Sequence, residues 1–326
     1  MTGIFKSNHP SNTVVLFIYA ILLKLPMFLH PSAPVVQSFD GYLYRLVILV
    51  LSGPGTAFPI VYPIITYLLM VSQAIALNAM VNNQKLLQKP NYLTAMSYIL
   101  ITSVFSEWYN LSPPLIINSI LIGVLSQLCK LHNHPQPKSI LFNLGIAIGV
   151  SGFLYYPALS FLSLIVVGLT ITRPFKIREW LIMLLGVCTP YYFAAAWFIW
   201  AGKWEKVPLP FVKITIPHLR QSWLEYSGLI LITIAVLIGL VFMQSNLRRQ
   251  LVQTRKSWAL VILYLLIAVL VPFINETRLF NYWILAAVPV SIIMAAAFLY
   301  PERKWFSVVI HWGLVILSIF VGYFIK

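Results

Sequence analysis

Residues 139–178 read SILFNLGIAIGVSGFLYYPALSFLSLIVVGLTITRPFKIR, and the first 34 of them, 139–172, carry no charged side chain. As one helix, at 1.5 Å per residue, that stretch would run about 51 Å, against about 30 Å for the hydrocarbon core of a bilayer. Tyr155-Tyr156-Pro157 offers a break, because proline removes a backbone donor and clashes with the preceding turn. Lys130 and Lys138 lie on one side of the stretch, and Arg173, Lys176 and Arg178 on the other. Basic residues collect on the cytoplasmic side of a membrane, so clusters at both ends imply that the chain crosses, turns and returns. The stretch is therefore expected to be two short membrane helices.

The rest of the chain agrees. Of its 326 residues, 60% are hydrophobic and 9% are charged, and the mean hydropathy is +0.88. A soluble domain carries about 25% charged residues. These numbers exclude disordered, collagen-like, coiled-coil and disulfide-rich classes and leave a polytopic membrane protein. Apolar spans fall at 13–29, 57–81, 92–105, 115–129, 139–154, 156–171, 180–200, 227–244, 258–273, 282–299 and 306–325. Eleven crossings of about 20 residues use about 220 positions and leave too few for a soluble domain. The expected fold class is all-α, a single transmembrane domain of about 11 helices with the N-terminus in the cytoplasm. The first 200 residues form one block, 201–226 a long outer loop and 227–326 the C-terminal helices. Lys6 precedes the first span, Lys24 interrupts it and no clean cleavage site follows, so that span is expected to be an uncleaved signal anchor.

The net charge of +15 is dispersed between the apolar spans. With the N-terminus inside, 14 Lys and Arg residues face the cytoplasm, 7 face outward and Lys24 sits within a span. This is the positive-inside distribution and argues against nucleic acid, which needs a contiguous basic face. The acids lean outward: Asp40, Glu107, Glu205, Glu225 and Glu276 are outside, and only Glu179 and Glu302 are inside.

The outer loops hold the candidate chemistry. Asp40, the one Asp of the chain, precedes Gly41 and the short run Leu46–Leu51, expected to be an interfacial helix. Asp40 is a candidate catalytic carboxylate at the membrane surface and a candidate N-cap of that helix, where its oxygens would accept free backbone N–H groups, and the two roles are compatible. Glu107 beside Trp108 and Tyr109 could bind a sugar or headgroup, or be a solvated acid within an aromatic belt. The loop 201–226 carries Lys206, Lys213, His218 and Arg220, either to contact phosphate or as a solvated amphipathic loop. Arg278 precedes Tyr282 at the mouth of a late span, suited to a lipid phosphate or to pairing with Glu276. Lys24 is expected to snorkel outward. Gly145 and Gly149 form a helix-packing pair. His132 and His134, with no Cys or carboxylate near them in sequence, make a poor metal site, and no metal site is expected. Cys129 and Cys188 carry no disulfide signal. No P-loop, zinc-protease or serine-hydrolase motif is present.

An early outer acid before an interfacial helix, an acid in the next outer loop, a Gly-rich helix followed by a short return helix and the basic turn Arg173-Pro174-Phe175-Lys176, and a late Arg278 with Tyr282 and Pro289 together resemble the C-type fold (GT-C) glycosyltransferases. The resemblance covers the layout of the first 200 residues and the segment 276–289. The chain also resembles an uncharacterised family of bacterial envelope membrane proteins. The GT-C likeness implies an enzyme of the bacterial inner membrane that moves a sugar from a polyprenyl-phosphate donor to an envelope acceptor. It implies Asp40 as general base, Glu107 as a second acid or metal ligand with a divalent cation as an open cofactor, and Arg278 with Tyr282, Arg45, Glu276, His218 and Arg220 around the donor phosphate or substrate. Many members pair two acids early, whereas here Asp40 is followed by Gly41. The alternative is a non-catalytic membrane subunit of a cell-envelope or secretion assembly, with protein partners that the sequence does not identify.

Overall fold

The computed structural model describes residues 2–37, 39–132, 134–202, 215, 221–274, 280–301 and 304–324. The described residues form helices and no strands. These are α1 (Thr2–Phe5), α2 (Ser11–Leu29), α3 (Tyr42–Ala57), α4 (Val61–Asn83), α5 (Leu93–Ser103), α6 (Pro113–Lys130), α7 (Lys138–Leu154), α8 (Leu162–Thr172), α9 (Ile177–Trp200), α10 (Trp223–Leu247), α11 (Val252–Leu270), α12 (Ala287–Leu299) and α13 (Lys304–Phe324). Tight 3-10 segments at Ser106–Tyr109, Tyr156–Phe161, Val271–Phe273 and Phe280–Ala286 extend or join them.

Among the described residues, eight helical segments are long and apolar enough to cross a membrane: 11–29, 61–83, 113–130, 177–200, 223–247, 252–273, 280–299 and 305–324. The chain is a multi-pass helical membrane protein. Three shorter apolar segments, Leu93–Ser103, Lys138–Leu154 and Tyr156–Thr172, fall where the other three of the eleven spans were expected. Tyr155 is extended, at φ −156° and ψ 114°, and breaks the 139–172 stretch in two where Pro157 predicts.

The core is built on α5 and α12, which pack on each other. All eleven residues of α5 are buried, and so is nearly all of α12. A helix apolar on every side belongs at the centre of a bundle. The other helices surround this pair and leave large apolar side chains such as Leu49, Phe193, Leu237 and Ile316 exposed, as a lipid-facing surface requires. Helix α3 buries only Tyr44 and Gly55, which fits a helix lying at an interface. Helices α7 and α9 pack closely, because a Cβ on Gly145 would come within 2.2 Å of the Met183 carbonyl oxygen and one on Gly186 within 2.3 Å of that of Phe142. Cys129 and Cys188 are both free.

Lys24 does not snorkel. It is fully buried, its ammonium donates to the Thr102 carbonyl and it lies 4.8 Å from the centre of the Tyr109 ring. Helix α5 stops one residue later, so its final carbonyls would be unpaired inside the protein. Lys24 takes Thr102 O, while the hydroxyls of Tyr109 and Ser318 donate to Ser103 O at 2.7 and 2.8 Å. The cation therefore serves the negative end of a short buried helix, a use that hydropathy alone cannot distinguish from snorkelling.

Candidate functional site

Asp40 sits in a tight turn. Its amide donates to Gln37 O at 3.2 Å, and its Oδ2 accepts from the Gln37 amide at 2.8 Å. The next residue docks the turn onto the end of α7: the Gly41 amide donates to Leu154 O at 2.9 Å, and Asp40 forms an isolated antiparallel bridge with Tyr155. Only glycine permits that approach, because a Cβ at position 41 would lie 2.0 Å from Phe153 O. The Asp-Gly dipeptide thus follows from contact between two backbones.

Asp40 is not the N-cap of α3. Gly41 holds that position without a side-chain cap. The second carboxylate oxygen, Oδ1, accepts from the Tyr282 hydroxyl at 3.0 Å. Tyr282 stacks on Tyr155 with ring centres 4.7 Å apart and meets Phe39 edge-on at 5.5 Å. Within this aromatic box Asp40 is 2% exposed. Burial pushes its carboxyl up to about 6, against the opposing pull of the Gln37 amide, the Tyr282 hydroxyl and the Arg45 charge. Arg45 braces the turn, donating from Nε to Asp40 O and from Nη2 to Gln37 O, each at 3.2 Å.

Glu107 lies in the 3-10 turn between α5 and α6. Its Oε1 accepts from Gln221 Nε2 at 3.0 Å and its Oε2 from the Asn281 amide at 3.1 Å. Beside it, Trp108 Nε1 donates to Phe280 O at 3.1 Å and the Trp108 ring stacks on Phe280. Burial raises the Glu107 carboxyl above its ordinary range, the Glu225 charge adds to the rise, and its amide donors oppose it.

Glu225 is a participant that the loop reading passed over. Its Oε1 accepts from the amide and hydroxyl of Ser106, at 3.1 and 2.8 Å, and its Oε2 accepts from the amide of Ser222, the N-cap of α10. The signal was present as Ser222-x-x-Glu225, a capping box. Glu107 and Glu225 both line a cavity of about 650 Å³ among the ends of α2 and α13, the starts of α4 and α10 and the turn that leads into α6. His30, Asn110, Tyr62 and Tyr323 also line it.

The segment Phe280–Tyr282 therefore holds both carboxylates, Glu107 through the amide of residue 281 and Asp40 through the side chain of residue 282. Asp40, Arg45, Glu107 and Tyr282 gather at one end of the bundle. Tyr282 is engaged with Asp40, and Asp40 is not among the residues lining the cavity. Glu276, Arg278, His218 and Arg220 lie outside the described residues, as do Lys206 and Lys213. Among the described residues no group of three or more His, Cys, Asp or Glu could hold a metal ion.

No curated protein and no solved structure gives a significant match to the chain. One family does, over residues 35–326, and this range takes in the Asp40 turn, the Glu107 loop, the 280–282 segment and the cavity lining apart from Pro26, Met27, His30 and Ser32. With most of its length matched, the chain belongs to the family of unknown function DUF6427.

Proposed function

We propose that the chain is a glycosyltransferase of the bacterial inner membrane, with eleven crossings, a cytoplasmic N-terminus and its acid-bearing end on the outer face. It would move a sugar from a polyprenyl-phosphate donor to an envelope acceptor. The observation that carries this reading is that one short segment holds the Asp40 and Glu107 carboxylates at the same end of an apolar bundle, beside a 650 Å³ cavity lined by Glu107. The distribution of basic residues supports the orientation: Lys130, Lys138, Arg173, Lys176 and Arg178 lie at the helix ends away from Asp40, Glu107 and Glu225.

Glu107 is the base in this scheme. A base must come within about 2.6–3.2 Å of the proton it takes, and Glu107 faces the cavity. The acceptor oxygen attacks the anomeric carbon, its proton passes to Glu107, and the bond to the donor phosphate breaks with its electron pair leaving on the phosphate oxygen. Asp40 is a positioning residue, fixing through Tyr282 the segment that also holds Glu107. Replacing Glu107 with Gln removes the base with little change in shape. At equal protein level, envelope glycan should fall about 10²–10⁴-fold while the lipid-linked donor accumulates; unchanged glycan overturns the assignment.

A second reading, a non-catalytic subunit of an envelope or secretion assembly, is favoured by Asp40 itself. Both of its oxygens are already bonded and it is nearly inaccessible, as in a structural latch. Unchanged glycan in the Glu107→Gln strain, together with a stoichiometric protein partner retained in mild detergent, would select it.

A further inference from the structure

The opposite end of the bundle contains a separate built feature. The turn after α4 and the turn between α10 and α11 are stitched together: Trp258 Nε1 and Gln250 Nε2 donate to Leu86 O at 3.1 and 3.4 Å, and Gln88 Nε2 donates to Asn246 Oδ1 at 3.0 Å. Between them lies a cavity of about 420 Å³ lined by Lys85, Arg249, Gln88, Gln250 and Thr254, among others. Lys85 has φ +51°, the one positive φ outside glycine among the described residues. That conformation is disfavoured for a long side chain, and here it places a cation at the rim of the cavity.

The polar groups are unsatisfied in a particular way. Among the described residues the one ion pair is Arg173 with Glu179, so neither Lys85 nor Arg249 has a carboxylate partner there. Thr254 is 4% exposed and lines the cavity, which puts a hydroxyl in its wall. Gln250 Oε1 is buried without a donor. Two cations and a hydroxyl call for a group rich in acceptor oxygens, and Gln250 Oε1 calls for a hydroxyl beside it.

We infer that this cavity is a binding site for a phosphate-bearing anion, specifically the headgroup of an anionic phospholipid carrying a free hydroxyl. Lys85 and Arg249 hold the phosphate, Thr254 donates to it and Gln250 accepts from the hydroxyl. Basic pockets between membrane helices near an anionic leaflet are suited to such headgroups. The inference is independent of the chemistry at the acid-bearing end.

The test uses the full chain in mild detergent, with binding followed by native mass spectrometry and by the shift in unfolding temperature. The probes are phosphatidylglycerol, phosphatidylcholine and inorganic phosphate. The variant is Lys85→Asn with Arg249→Gln, because Asn tolerates the positive φ. A charge-matched control, Lys176→Gln with Arg178→Gln, removes two bases at the same end but outside the cavity. Phosphatidylglycerol should bind the natural protein and the control equally and bind the cavity variant roughly 25-fold more weakly, for two lost basic contacts. Phosphatidylcholine should bind much more weakly throughout. An equal effect of inorganic phosphate, with the same sensitivity to the variant, would assign the anion to solution and keep the phosphate site. The inference is overturned if the cavity variant binds phosphatidylglycerol as the natural protein does, if the control loses as much, or if neither phosphate probe binds.

Discussion

The buried carboxyl of Asp40 makes a prediction whose size follows from its surroundings. Its value of about 6 in the folded protein, against 3.8 for a free side chain, means that the folded state holds a proton that the unfolded chain releases between about pH 4 and pH 6. Where the folded state binds more protons, stability falls as pH rises. Stability contributed by protonated Asp40 is therefore present below pH 4 and is lost through pH 6. The 2.2-unit difference is worth about 3 kcal/mol in full, and about 2–3 kcal/mol between pH 4 and pH 7. Asp40→Asn has no such dependence. It keeps an acceptor for Tyr282 but loses the one for the Gln37 amide, a pH-independent cost of about 1–3 kcal/mol. The stability of Asp40→Asn relative to the natural protein should thus climb by about 2–3 kcal/mol from pH 4 to pH 7, whatever its offset. Unfolding by SDS in mild detergent, followed by circular dichroism at four pH values, measures this, because titrations common to both proteins cancel. Parallel curves would refute the assignment of a desolvated, proton-binding Asp40.

Gly41→Ala places a Cβ 2.0 Å from Phe153 O and breaks the bond to Leu154 O; it should cost about 2–4 kcal/mol, seen as a lower unfolding temperature. Lys24→Met leaves Thr102 O without its donor and should cost about 1–3 kcal/mol, whereas a snorkelling lysine would give no change in the same measurement. Gly145→Val drives a branched side chain into the Met183 carbonyl, at about 3 kcal/mol or more, and the protein should fail to accumulate in membranes while Gly123→Ala, which meets nothing within 4 Å, accumulates normally.

What could be read from the sequence was what depends on runs of neighbouring residues. Each of the eleven expected spans coincides with helical structure, and the break at Tyr155 falls beside the proline that predicts it. Crossing is less legible where helices are short. The eleven residues of α5 make about 16 Å of helix, and their burial follows from neighbours that hydropathy does not name. The site was legible as residue types and not as contacts. Asp40 and Tyr282 are 242 positions apart, and nothing local shows that one binds the other. The N-cap expectation for Asp40 failed because the glycine after it approaches α7, and the snorkelling expectation for Lys24 failed because α5 ends beside it. The Glu225 cap was visible as a four-residue pattern, but its bonds to Ser106 join segments 119 positions apart.

The stitch at residues 281 and 282 has a mechanical consequence. Two anionic groups gripped from adjacent positions share one handle: a sideways slip of that strand of backbone would let go of both, and neither could be freed alone by moving it. Loss of the Tyr282 hydroxyl and loss of the Glu107 side chain should then be non-additive in a double-mutant cycle, because whichever goes first slackens the grip on the other.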